Sequence, residues 1–101
     1  MSFQDISIKD FKKDLQHKAL IIDIRDEESY HRGNISGSVN YSSEDIIRLI
    51  KDSDKKEERN RDIVICCYHG NSSRKVASFL SENGFNNIYS LIGGFAAWQN
   101  S

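Results

Sequence analysis

Three short apolar runs, at residues 19–24, 63–67 and 87–91, constrain this chain more than anything else in it. Each is short and carries β-branched residues, and none alternates cleanly between apolar and polar side chains. A strand with one wet face alternates, whereas a strand covered on both faces does not. The runs therefore predict strands buried on both sides, as in a parallel sheet.

The segments between them carry helical period. Residues 9–17 hold Phe11 and Leu15 four apart, and residues 44–51 hold Ile46, Ile47, Leu49 and Ile50 behind Ser42 or Ser43 as N-cap. Val76, Phe79 and Leu80 form an i, i+3, i+4 stripe in a helix that Ser73 could cap and Gly84 could end. Residues 55–61 are polar with mixed charge and read as a solvated loop. Strands alternating with helices predict an α/β domain with right-handed crossovers.

No repeat, low-complexity tract or Gly/Ser linker divides the 101 residues, so 1–101 reads as one domain. With 38% hydrophobic and 29% charged residues, a small core forms and disorder is not expected. Lys and Arg number 14 against 15 Asp and Glu, a net charge of -1 that argues against nucleic-acid binding. Proline is absent, which rules out any cis-Pro turn. No basic segment leads into an apolar one at the start, and the longest apolar run, 63–68, is far too short to span a membrane. The two cysteines, Cys66 and Cys67, are neighbours and cannot staple distant segments, so a disulfide scaffold is excluded. A reducing, cytosolic compartment is the expectation.

The chemistry concentrates in residues 63–75, which read as strand, tight polar loop and helix. Ligands of open α/β sheets bind beyond the carboxyl ends of the strands, where this loop would lie. Cys67 closes the strand, and Gly70 and Asn71 are best suited to the positive φ of a chain folding back on itself. Backbone N–H groups in such a loop can converge on one point and form a nest for an anion. A free cysteine with pKa ~8.5 is only about 3% thiolate at pH 7; a drop of ~2 units needs about 2.7 kcal/mol. A helix dipole alone supplies ~0.3–1 kcal/mol, so several converging N–H groups from Cys67, Tyr68, His69, Gly70, Asn71 and Ser72 are required.

Arg74 and Lys75 sit in the first turn of the following helix, where cations oppose the dipole; an anion bound nearby would explain them. Strand alternation sends the Cys66 side chain the other way, into a helix-covered core. Zinc on Cys66, Cys67 and His69 has the wrong ligand spacing and lacks a second cysteine pair. His69 is open to proton transfer, anion contact or plain solvation.

These residues resemble the rhodanese-type sulfurtransferases at three places. Asp23-Ile24-Arg25, followed by Tyr30-His31-Arg32-Gly33-Asn34-Ile35-Ser36-Gly37-Ser38, resembles the family's amino-terminal signature. The loop Cys67-Tyr68-His69-Gly70-Asn71-Ser72-Ser73 is similar to its active-site loop, in particular that of the single-domain thiosulfate sulfurtransferases. Gly93-Gly94-Phe95-Ala96-Ala97-Trp98 is similar to its carboxy-terminal ending.

The resemblance implies a single rhodanese-like domain, a central mostly parallel β-sheet of about five strands with helices on both faces. It implies a Cys67 persulfide, formed from thiosulfate or another sulfane-sulfur donor and passed to cyanide or a thioredoxin-like dithiol. No metal or organic cofactor is implied, nor a nucleic-acid or membrane partner, and the chain is expected to be a monomer or weak dimer. Asp23 and Arg25 then read as a supporting ion pair, and Gly93, Gly94 and Trp98 as turn and packing residues.

Tyr68 and Ser72 stand where many members carry cationic or Thr residues, and Asn34 and Ser36 replace the usual His and Pro. With fewer charges around the loop, thiosulfate affinity is expected to be modest. A dedicated persulfide relay for one partner would use the same Cys67, and a docking module that has lost activity would usually lack it. A cysteine phosphatase or arsenate reductase of the related fold needs five residues between Cys and Arg for bidentate phosphate clamping. From Cys67 that position is Ser73, and Arg74 is one place too far.

Overall fold

The computed structural model describes residues 2–52 and 56–101. Five parallel strands lie in the order β1-β5-β4-β2-β3: β1 (Gln4–Ile6), β2 (Leu20–Asp23), β3 (Val39–Asn40), β4 (Ile63–Cys66) and β5 (Ile88–Leu91). The three apolar runs are the three central strands. The two edges, β1 and β3, are not readable from the sequence: they are three and two residues long, and in β1 only Ile6 is buried. They form because a central strand already offers its ladder, with Ile6 opposite Leu91 and Val39 opposite Ile22.

Both faces of the sheet are covered, as the absence of alternation requires. On one side Phe11, Leu15, Ile21, Val64, Cys66, Leu91 and Phe95 form a closed cluster. It lies under the amino-terminal helical segment and the terminal helix α6 (Gly94–Gln99). On the other, Ile22, Ile63, Ile65 and Ile88 pack against Ile46 of α3 (Ser43–Asp52) and Ala77 and Leu80 of α5 (Ser72–Glu82). Full burial of each such aliphatic side chain contributes ~1.5–3 kcal/mol, so these two layers dominate the stability.

Several boundaries depart from the periodicity, each for a local reason. The 9–17 helix begins at α1 (Ile8–Asp10), where Ser7 Oγ accepts from Asp10 N–H at 3.1 Å. It then widens into a π-helical turn over Phe11–Leu15, closed by Gln16 N–H donating to Phe11 O, with both Phe11 and Leu15 buried. Of the two candidate caps of α3, Ser42 does the work: its Oγ accepts from Asp45 N–H, while Asp45 Oδ2 accepts from Ser42 N–H.

Helix α2 (Glu27–Arg32) has no buried residue and hence no apolar stripe to read. Within 55–61 a short helix, α4 (Lys56–Arg59), replaces the expected loop; Lys55 lies outside the described residues. Arg59 is the reason, donating to Asn83 O and Ile50 O with its guanidinium 5.0 Å from the Phe85 ring. Gly84 follows the end of α5 with φ +91, as a helix stop requires. Among the described residues no helix is long and apolar enough to cross a membrane.

Candidate active site

The site forms where β4 stops. The 63–67 run was expected to end on Cys67, but the strand ends at Cys66. Cys67 leaves the ladder because its carbonyl accepts from Phe95 N–H, 2.8 Å away in α6. The next carbonyl, of Tyr68, accepts from Ala96 N–H at 3.0 Å. Two donors at the start of one helix thus hold the beginning of the loop.

This clamp needs Gly94. It has φ +60, and a β-carbon on it would stand 2.3 Å from Cys67 O and 2.6 Å from Tyr68 O. Gly70 makes the opposing close approach, with φ +93 and Gly93 N only 2.9 Å from where its β-carbon would be. Gly70 therefore takes the positive φ expected of it. Asn71 does not: at φ -88 it is the helix N-cap, and Ser73, expected to cap, lies one residue inside α5.

The fold-back aims backbone donors at sulfur. Gly70 N–H donates to Cys67 Sγ at 3.0 Å and Ser73 N–H at 3.3 Å. Burial pushes the Cys67 thiol up, but it is outweighed by the Ser73 side chain and the Ser73, Gly70 and Ser72 N–H groups, so the pKa lies below its ordinary value. Cys66 is the reverse. It is completely buried, and burial with the nearby Asp23 charge pushes its thiol up to about 12. Its S–H donates only to Cys67 O, at 3.4 Å.

The other singled-out residues fall into two sets. Tyr68, His69, Asn71 and Ser72 line the exposed side of the loop. The His69 ring packs edge-on against Tyr68 at 4.3 Å between centroids and makes no hydrogen bond to Cys67. Arg74 is turned to the sheet edge, where its guanidinium pairs with Asp5 at 2.9 Å, and Lys75 borders Ile47 and Phe79 at the surface. Among the described residues neither side chain is hydrogen-bonded to the loop.

Asp23 and Arg25 form a buried pair at 2.8 Å with side-chain exposures of 1% and 7%. Arg25 also donates to Gly33 O at 2.7 Å and stacks over the Phe95 ring, 4.0 Å from its centroid. The first motif thus supports the residue whose N–H holds Cys67. Trp98 packs edge-on against Phe11 at 6.0 Å. Unforeseen from the sequence are the Phe95 and Ala96 N–H groups, for which the Gly93-Gly94 pair was the available signal, and Ser90, whose hydroxyl lies 2.8 Å from Ser73 Oγ.

A recess of about 350 Å³ opens beside the loop between Tyr68, Phe95, Gly33, Arg25 and Arg32. A larger one of about 650 Å³, bordered by Asp26, Glu27 and Asp45, contains no loop residue. Among the described residues, no group of His, Cys, Asp and Glu is placed to hold a metal ion.

The Rhodanese-like domain family matches residues 7–101. Thiosulfate sulfurtransferase GlpE of Shewanella oneidensis is 38% identical over 99 residues, covering 97% of this chain and 94% of that protein. Its namesake from Pseudoalteromonas translucida is 41% identical over 100 residues, covering 98% and 91%. A Rhodopseudomonas palustris structure described as a possible tyrosine phosphatase superposes with TM-score 0.81 at 24% identity, covering 97% of this chain and 80% of that one. At that identity the likeness speaks to the fold alone.

Proposed function

The chain belongs to the rhodanese-like domain family, and from that premise we propose that it is a thiosulfate sulfurtransferase working through a Cys67 persulfide. The observation that carries this reading is the placement of Cys67 Sγ at the focus of the loop, with the Gly70 and Ser73 N–H groups donating to it. Such donors favour a thiolate over a thiol without any fixed cation.

In the first half-reaction the Cys67 thiolate attacks the outer sulfur of thiosulfate. The S–S bond of the donor breaks, and sulfite leaves with the electron pair. The product is a Cys67 persulfide whose terminal sulfur carries the negative charge, and the remaining loop N–H groups are suited to hold it. In the second half-reaction cyanide carbon attacks the terminal sulfur, giving thiocyanate and restoring the thiolate. A dithiol acceptor does the same with a thiolate sulfur; its second thiol then closes a disulfide and releases hydrosulfide. Neither path uses a metal or organic cofactor.

The loop offers no guanidinium for a phosphoryl group, since Arg74 is committed to Asp5 at the sheet edge. A dedicated persulfide relay is the second reading. It draws on Tyr68 and Ile92, both about half exposed at or beside the loop, as apolar contacts for a protein acceptor.

Incubation with thiosulfate is expected to add one sulfur atom to Cys67 in an intact-mass spectrum, lost again on adding cyanide. A spectrum with no adduct would remove thiosulfate as donor. Comparing turnover with cyanide and with reduced thioredoxin separates the two readings: both acceptors serve a general transferase, neither serves a dedicated relay.

A further inference from the structure

Ser90 is out of place in the core. It sits in the middle of the sheet, in β5, opposite Ile65 on one side and Asp5 on the other. Alternation puts it on the same face as Ile88, which packs against α5. Its hydroxyl is buried among aliphatic side chains, and an unpaired hydroxyl there costs ~1–3 kcal/mol. Ser81 shows that burial in this fold does not by itself supply a partner, because its hydroxyl, also at α5, is buried with none.

Ser90 does have a partner. Its Oγ lies 2.8 Å from Ser73 Oγ, and both residues are essentially inaccessible to solvent. The two hydroxyls hold two protons, of which one makes their mutual hydrogen bond. If Ser73 donated that bond, the Ser90 proton would have no acceptor among the described residues. If Ser90 donates it, the Ser73 proton is left for the Cys67 sulfur, on which the Ser73 side chain acts and which the Ser73 backbone N–H meets at 3.3 Å. We propose that Ser90 is a positioning residue for Cys67: it donates to Ser73 Oγ and so commits the Ser73 hydroxyl proton to the Cys67 sulfur.

The consequence is a second neutral donor to the sulfur from the same residue. A chain of hydroxyls polarises each member, so the terminal donor is strengthened by the one behind it. The groups acting on the Cys67 sulfur are the Ser73 hydroxyl and the loop N–H groups. The nearby titratable side chains are Cys66, on the opposite face and protonated, and Tyr68 and His69, exposed on the loop. The nearest cation along the helix, Arg74, is paired with Asp5.

The inference extends the proposed function, but its test reads the resting thiol. Iodoacetamide alkylation of Cys67, followed against pH by mass spectrometry, gives the ionisation midpoint. S73A is expected to raise that midpoint by about half to one unit. S90A is expected to raise it by about 0.3 unit, which slows alkylation roughly twofold at any pH below the midpoint. The double variant S73A/S90A should match S73A alone, because Ser90 acts only through Ser73.

A matched pair keeps the shape constant: Ser90→Thr retains the hydroxyl and should keep the native midpoint, while Ser90→Val should shift it as S90A does. An unshifted midpoint in folded S90A, additive shifts in the double variant, or equal midpoints for Thr and Val would each overturn the proposal. If the midpoints behave as expected but thiosulfate leaves no adduct, the donor assignment fails while the role of Ser90 stands.

Discussion

Cys66, the last residue of β4, and Cys67, the first beyond it, are joined by one peptide bond, yet their surroundings have opposite effects. Cys66 points into the layer of Phe11, Leu15, Val64 and Leu91, where nothing stabilises an anion and its thiol is pushed up to about 12. Cys67 is nearly as buried, at 6% exposure, but it has left the ladder and is met by donors from Gly70 and Ser73. Both lose water. The comparison teaches that burial alone does not set thiol reactivity here, whereas the donors that meet the sulfur, the Ser73 side chain and the loop N–H groups, do.

The most severe test of that contrast is activity. Cys67→Ser should reduce thiocyanate formation by at least about a thousandfold, because the nucleophile is gone. Cys66→Ser should retain most of it. In the native wild type at pH 7, iodoacetamide should modify Cys67 and leave Cys66 untouched, as a thiol with pKa near 12 is only about one part in 10⁵ thiolate. Equal loss of activity in the two variants, or labelling of Cys66 without unfolding, would break the comparison.

A smaller effect is expected when the clamp is disturbed. Gly94→Ala places a β-carbon against the Cys67 and Tyr68 carbonyls at a residue of positive φ. It should cost on the order of 2–4 kcal/mol, measured by urea unfolding, combining backbone strain with overpacking. The Cys67 midpoint should also move up toward that of a free cysteine as the loop opens. Wild-type stability in this variant would show that the helix α6 contacts do not hold the loop.

At neutral pH the smallest effect is on stability, and it grows with pH with opposite sign for the two cysteines. The folded protein keeps the Cys66 proton that the unfolded chain releases near 9.0. Stability should therefore be unaffected by Cys66 below pH 9 and fall above it, by about 1.4 kcal/mol per pH unit relative to Cys66→Ala, up to about pH 12. Cys67 works the other way. Its folded pKa is depressed, so it adds stability as pH climbs from that lowered value to 9.0, and this increment is missing in Cys67→Ser. Urea unfolding at pH 7, 9 and 11 checks both, and parallel curves for wild type and Cys66→Ala would refute the assignment to Cys66.

How much was readable follows from how much each residue buries. The strands Leu20–Asp23, Ile63–Cys66 and Ile88–Leu91 were visible because nearly every side chain in them is apolar and covered. The edge strands and α2 were not, since they carry almost no buried residues and take their form from neighbours already in place. In the loop, Gly70 was legible from its conformational freedom, whereas Asn71 was misread because an Asn suits both positive φ and a helix N-cap. An anion bound nearby was expected to explain Arg74; the anion beside it is Asp5, which no local rule could place there from sixty-nine residues away.

By itself the sequence determined that the chain forms a doubly covered parallel sheet, that a cysteine-bearing loop follows the β4 strand, and that Cys67 and Cys66 face different ways. Those properties depend on side-chain period and local turn chemistry, which adjacent residues carry. Only the tertiary structure decided which donors meet the sulfur, that α6 takes the Cys67 and Tyr68 carbonyls, and that Ser90 stands behind Ser73. The physical reason is that hydrogen bonds of this kind join segments far apart in the chain, and their geometry exists only once both layers of the core have packed.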